Sequence, residues 1–303
     1  MRSIGRPGRI GRVIVAACAV ATVATACGSG PGQVGSAVIV ADRSVGLGEV
    51  QTRIDTALAH KAELSAQSTG EVADADIARY VVSTQVSHEL ITAAAARDGI
   101  AVGEDRVDAL LADPSALQLD RSLFEGAALR ERARDRLLAI ALAERYVDGL
   151  AVTADVVAAT SQADADEKAR ALAAGGDRAR AVLSDPRTAQ PGQTYRAATD
   201  PDSATTVLFG TPAGQTVAFQ PSPGQGVWLV LPVTDRVTDA PAAGSSAATS
   251  IDQDTLASIG QRLTQPDAGT VQVNPRFGVW DPVRMRVVAE GQQAGSIIGP
   301  ARG

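Results

Sequence analysis

The chain has 303 residues and a formal charge of −6, enough length for one or two domains with real cores and a sign that suits neither nucleic acid nor anionic lipid headgroups. Hydrophobic residues make up 45% but aromatic ones only 3%, so helix contacts should be thin and lined with alanine rather than built on rings. Two distant histidines and no cysteine pair provide no metal-ligand spacing.

Arg2, Arg6, Arg9 and Arg12 make a basic start with no acidic residue before Asp42. Residues 13–26 are then apolar except for Thr22 and Thr25. That length fits a secretory segment and falls short of the roughly 20 residues a membrane span requires. The stretch closes on Ala24-Thr25-Ala26-Cys27-Gly28-Ser29, which resembles a bacterial lipobox, although Ala24 stands where Leu is commonest. Ala24-x-Ala26 also fits plain secretory cleavage. The run Gly28-Ser29-Gly30-Pro31-Gly32 has the composition of a flexible spacer and favours the lipobox. The expectation is a signal peptide over 1–26, lipidation at Cys27 and a tether over 27–36, holding the protein on the extracytoplasmic face of the cell membrane. Cleavage also removes Cys18, so one cysteine remains and no disulfide framework is possible. The loss of four arginines takes the formal charge from −6 to −10, so membrane attachment should come from the lipid.

Ala37-Val38-Ile39-Val40-Ala41 reads as a short strand, and Asp42-Arg43-Ser44 as the turn after it. Val50, Ile54 and Leu58, at i, i+4 and i+8, predict a helix broken at Ser68-Thr69-Gly70. A longer helix is expected over 74–98, with Ile77, Val81, Thr84, His88, Ile91 and Ala95 on one face and Gly99 as terminator. Glu104-Asp105 opens a shorter helix, acidic where the dipole favours it, bounded by Pro114. A charged helix should follow over 122–150, with Leu129, Leu137, Leu138, Ile140 and Leu142 apolar. The alternating Glu and Arg over 125–136 read as a solvated, ion-paired face.

The character changes near Val152. Val156-Val157-Ala158 suggests a strand and 164–174 a helix ended by Gly175-Gly176, while Pro186, Pro191, Gly192 and Pro201 predict irregular chain. Three short strand-like pieces lie at 206–209, 216–219 and 227–231. Residues 240–250 have a linker composition, 252–263 predict a last helix stopped by Pro266, and a polar, Gly-rich tail ends the chain.

Leu47-Gly48-Glu49-Val50 fits a helix start of the form Leu-x-Glu-[Leu/Val]. Arg97-Asp98-Gly99-Ile100-Ala101-Val102-Gly103-Glu104-Asp105-Arg106-Val107-Asp108 fits a long-helix end, Gly-Ile, then Val-[Ser/Gly]-[Asp/Glu]-[Asp/Glu]-x-Val-Asp. Through these motifs, residues 37–111 resemble the N-terminal domain of the SurA/PrsA group of extracytoplasmic chaperones. Val273-Asn274-Pro275-Arg276-Phe277-Gly278-Val279-Trp280-Asp281 resembles the end of actinobacterial-type members. More distantly, the 160–176 helix, Thr211-Pro212-Ala213-Gly214-Gln215-Thr216-Val217 and the strand from Gly226 to Arg236 resemble an inserted parvulin-type prolyl isomerase domain. The resemblance implies an α+β, mainly α fold: a helical SurA-N-like module (37–152) completed by a C-terminal helix and strand (251–288). A small parvulin-like α/β domain (153–239) is inserted, followed by a linker (240–250), and 289–303 form a flexible tail.

Active parvulins carry a His on the first and last strands, and the matching slots here are Asp155 and Trp228. The only histidines, His60 and His88, fall in the helical region. No Gly-x-Ser-x-Gly elbow is present either. The expectation is therefore a lipid-anchored chaperone for unfolded, newly secreted polypeptides, acting without ATP, cofactor, metal or nucleic acid. Asp155 and Trp228 would be at most a remnant cleft. An active prolyl isomerase is the alternative, and a non-catalytic scaffold or solute-binding lipoprotein the second.

Overall fold

The strand expected at 37–41 is one arm of a hairpin: β1 (Ser36–Val40) pairs antiparallel with β2 (Arg43–Gly46), Val40 opposite Arg43. The computed structural model describes residues 35–67, 71–222, 226–242, 246–267 and 271–300. The expected signal peptide, Cys27 and nearly all of the 27–36 tether lie outside the described residues. The turn is tighter than Asp42-Arg43-Ser44, with Ala41 in the left-handed region at φ 54. Only Val45 of β2 is buried, too sparse an apolar signal to mark a strand.

Helices α1 (Leu47–Ala59) and α2 (Lys61–Gln67) follow, α1 burying Val50, Ile54 and Ala57. The next helix, α3 (Asp74–Arg97), departs from its expected single apolar face. Val82, Val86 and Leu90 join Ile77 and Val81 in one core cluster, while Ile91 and Ala95 join another. The reason is position: α3 is central, with β1 and α1 packed on it and further elements on its remaining sides. It ends in a Schellman turn, Ile100 N–H donating to Ala95 O at 2.8 Å and Gly99 at φ 65. Next come α4 (Glu104–Ala112), a short α5 (Gln118–Arg121) and α6 (Gly126–Tyr146). The helix expected over 122–150 thus begins after Leu123 and Phe124, which are buried as loop residues.

The middle of the chain gives β3 (Ala151–Ala159), α7 (Gln162–Ala174), α8 (Gly176–Leu183) and β4 (Ala189–Arg196). Two one-turn helices, α9 (Pro201–Ala204) and α10 (Val207–Gly210), precede β5 (Thr216–Phe219) and β6 (Trp228–Val237). The strand-like piece at 206–209 is therefore helical. The stretch around Pro191 and Gly192, expected to be irregular, lies in strand β4. It pairs only with β3, and Pro191-Gly192 form a two-residue bulge opposite Asp155, where proline breaks no ladder bond.

The C-terminal part supplies α11 (Gln253–Leu263), β7 (Val271–Val273), β8 (Val279–Asp281), β9 (Arg286–Val288) and β10 (Gly295–Ile298). Asp252 caps α11 by accepting from the Asp254 and Thr255 amides. β7 pairs with β1, Val273 opposite Val38, and the β8–β9 hairpin lies on α3, where Ser83 Oγ accepts from Val287 N at 2.8 Å. β10 pairs with β5, making a five-stranded antiparallel sheet in the order β10-β5-β6-β3-β4. The fold is α+β.

Two expected boundaries are corrected. Residues 289–303 are not wholly a free tail, because 295–298 form the edge strand β10, placed by Ala294 N–H donating to buried Asp281. The expected boundary between 152 and 153 falls two residues inside β3, which starts at Ala151. One core cluster joins Ile140 and Leu142 of α6, Val152, Phe209, Leu231 and Ile259 of α11. The 240–250 segment is also tied at both ends, Ala240 N–H to Gly149 O and Ala247 N–H to Asp148 Oδ1.

The α6–α11 contact is unusually close at Gly260. A Cβ there would lie 1.8 Å from Ala139 O, so any side chain forces the helices apart. Gly260→Ala should lower stability by about 3 kcal/mol, the upper range for overpacking, whereas Ser258→Ala on the exposed face should stay within about 0.5 kcal/mol. Urea unfolding of both variants checks this; equal effects would show that the close approach carries no stability.

Candidate functional site

Asp155 and Trp228 are not brought together. Trp228 pairs with Ala159, four residues and about 13 Å along β3 from Asp155. Its ring packs with Val157, Val230 and the α7 residues Ala165 and Ala169, a core position. Asp155 accepts a hydrogen bond from Gly192 N–H at 2.8 Å and so holds the β4 bulge, with Gly192 at φ 67. The expected remnant cleft is therefore replaced by one packing residue and one turn-stabilising residue. His60 lies near exposed Glu63, its Nδ1 3.9 Å from a carboxylate oxygen.

His88 is part of a polar cluster between α3 and α6. Its Nδ1 is 2.8 Å from Asp135 Oδ1, and Arg132 donates to the other Asp135 oxygen at 3.2 Å. Arg132 also reaches Asp120, which accepts from Tyr80 Oη at 2.8 Å. Arg53 pairs with Glu131 alongside. The hydrogen bond to Asp135 raises the His88 pKa against the opposing effect of burial. Burial, followed by the charge of Asp120, raises Tyr80. Burial works against ionised Glu131, yet Arg53 and His88 hold its carboxyl below the ordinary range.

The Glu125–Arg136 stretch expected to face solvent therefore turns Glu131, Arg132 and Asp135 inward. Alternating charge looks the same in sequence whether its partners are water or α3. The available signal was His88 on an apolar face, which needs a polar partner. These groups satisfy one another and cross-brace α3, α5 and α6.

His88 gains its partner on folding, so its raised pKa contributes stability below the unfolded value of about 6.5 and loses it as pH rises through the folded value. Wild type should therefore exceed His88→Gln in stability most at pH 6, the difference shrinking toward pH 8. A difference independent of pH in urea unfolding would show that the imidazolium–Asp135 pair makes no contribution.

A cavity of about 760 Å³ forms a groove where the C-terminal segment meets the middle sheet. Val271 and Val273 of β7 line it on one side, and Ile297 and Gly299, in and just beyond β10, line it too. Val279, Trp280, Met285 and four prolines add apolar surface, and among the described residues Glu290 is the only ionisable one in the lining. Its shape is set by two buried charges. Asp281, fully buried, accepts from the amides of Val283, Arg284 and Ala294 and so joins the β8–β9 hairpin to β10. Arg262, at the end of α11, donates to Thr205 O, Val283 O and Gln265 Oε1 at 2.7, 2.7 and 3.1 Å. Burial lowers the Arg262 pKa to about 10, partly offset by Asp281. Gln265 lines the groove, and its buried amide nitrogen has no hydrogen-bond partner among the described residues.

The groove was invisible in sequence because its walls come from a three-residue strand and from a segment that reads as tail. Among the described residues, no group of three or more His, Cys, Asp or Glu could hold a metal ion, and no helix is long and apolar enough to cross a membrane. Compared with known proteins, the chain matches no family model, no curated protein and no solved structure.

Proposed function

We propose that the protein is a SurA/PrsA-like chaperone, lipid-anchored through Cys27 on the outer face of the cell membrane, that holds unfolded secreted polypeptides without ATP and without isomerising prolyl bonds. The observation that carries this reading is the groove. A groove of mixed lining, with an indole, four prolines and one carboxylate among the described residues, offers weak, replaceable contacts to exposed apolar side chains.

The path of the chain agrees with the resemblance. The C-terminal strand β7 returns to β1, and the first and last strands of the middle unit, β3 and β6, lie side by side. Isomerase activity has no visible support. The two strands carry no histidine, Asp155 is engaged by a backbone amide, and a core indole offers no hydrogen-bond acceptor.

The intact protein should suppress aggregation of a reduced secretory protein at near-stoichiometric amounts, and Trp280→Ala should weaken this severalfold while leaving proline-limited refolding of a reporter unaccelerated. Dose-dependent acceleration of cis–trans exchange in an Xaa-Pro peptide would establish the isomerase alternative. Cys27→Ser should move the protein out of the detergent phase on partitioning; unchanged partitioning would remove the lipid anchor from the account.

A further inference from the structure

Two sheet edges converge on the groove. In the β10–β5 pair, Gln220 N–H donates to Ala294 O at 3.0 Å, and the register continues from Gly295 opposite Phe219 to Ile298 opposite Thr216. Antiparallel alternation therefore directs the backbone groups of 294, 296 and 298 toward β5 and turns those of Gly295 and Ile297 away from it. On the other side, Asn274 N–H donates to Ala37 O at 2.8 Å. The same alternation directs the backbone of Gln272 toward β1 and that of Val271 and Val273 outward. Ile297, Val271 and Val273 are all groove-lining residues, and β10 and β7 are each the last strand of their sheets among the described residues.

Exposed edges are ordinarily blunted with lysine, proline or a bulge inside the strand. β10 reads Gly-Ser-Ile-Ile and β7 Val-Gln-Val: both are short, which itself limits edge pairing, but neither carries a lysine, a proline or a bulge. The unpartnered Gln265 amide adds a further donor beside the same cavity. We propose that the groove takes an extended polypeptide segment by strand addition to the outer edge of β10, favouring alternating apolar residues with a basic flank.

The basic flank follows from charge: among the described residues the only ionisable group in the lining is Glu290, in a chain of net charge −6. A single strand is favoured over a second copy of this protein. Both edges open into the groove, so a folded sheet approaching β10 would meet the opposite wall. The inference rests on the chaperone reading and specifies how the client backbone is held: main-chain hydrogen bonds supply sequence-independent affinity, and the apolar lining selects alternate side chains.

The test uses the intact protein and a fluorescent nonapeptide of alternating Val and Thr with Lys at both ends. Two further versions are N-methylated on the Val amides or on the Thr amides. The valines set which way the strand faces, so strand addition predicts about a tenfold loss in one methylated version and a change of less than about threefold in the other. A Glu-flanked peptide should bind about tenfold more weakly. Ile297→Pro removes an outward N–H together with a side chain that packs on the shared core, so Ile297→Ala is its control: the proline variant should bind the parent peptide about tenfold more weakly than the alanine variant. Equal affinity for all three Lys-flanked peptides, or equal loss in both methylated versions with Ile297→Pro no weaker than Ile297→Ala, overturns strand addition while leaving aggregation suppression intact. Concentration-dependent dimerisation that excludes the peptide overturns it in favour of a second copy. Absence of both peptide binding and aggregation suppression overturns the chaperone reading as well.

Discussion

The C-terminal third of the fold depends on the buried guanidinium of Arg262. An isolated buried charge is costly, with an effective penalty of several kcal/mol per ion. Here it is retained because one side chain answers three segments at once. Thr205 O, Gln265 Oε1 and Val283 O come from stretches that share no ladder with one another, and the guanidinium ties them together. Asp281 does the complementary work with its oxygens, accepting the amides that turn the chain from β8 into the hairpin and then into β10. Gly260 lets α11 come close enough to α6 for Arg262 to reach these groups.

The consequence is architectural. The helical half and the sheet half are closely joined. They share one apolar core, and the returning chain contributes β7 to one sheet and β10 to the other. The groove is the space left where these contributions meet. Its mixed lining is therefore exposed at a junction held by buried polar contacts. Arg262, the buried cation beside the groove, is engaged by backbone carbonyls and leaves the groove itself to the side chains that line it.

Local signals survived the passage from sequence to structure where the deciding contacts were local. The Schellman glycine Gly99, the Asp252 cap and the apolar repeat of α1 are each settled within a turn or two of chain. The readings that changed depend on distant partners. β2 carries one buried residue, β4 carries a proline opposite Asp155, and β10 follows a polar, glycine-rich stretch. Each becomes a strand through the neighbour it pairs with, which no window of sequence contains. The same holds for sites. Asp155 and Trp228 occupy plausible slots by register, but a bulge claims the carboxylate and α7 covers the indole. The inward-facing Asp135 and Arg132 looked like surface charge until α3 was placed against them.

The central claim is that unfolded polypeptide is held at the junction groove rather than on the face of the middle sheet. Hydrogen exchange of the intact protein, with and without a saturating reduced and carboxymethylated secretory protein, measures this directly. Added protection concentrated over 271–273 and 295–299, with 151–159 and 228–237 unchanged, is the result the account predicts. Protection confined to 151–159 and 228–237 would place the client on the middle sheet and contradict it.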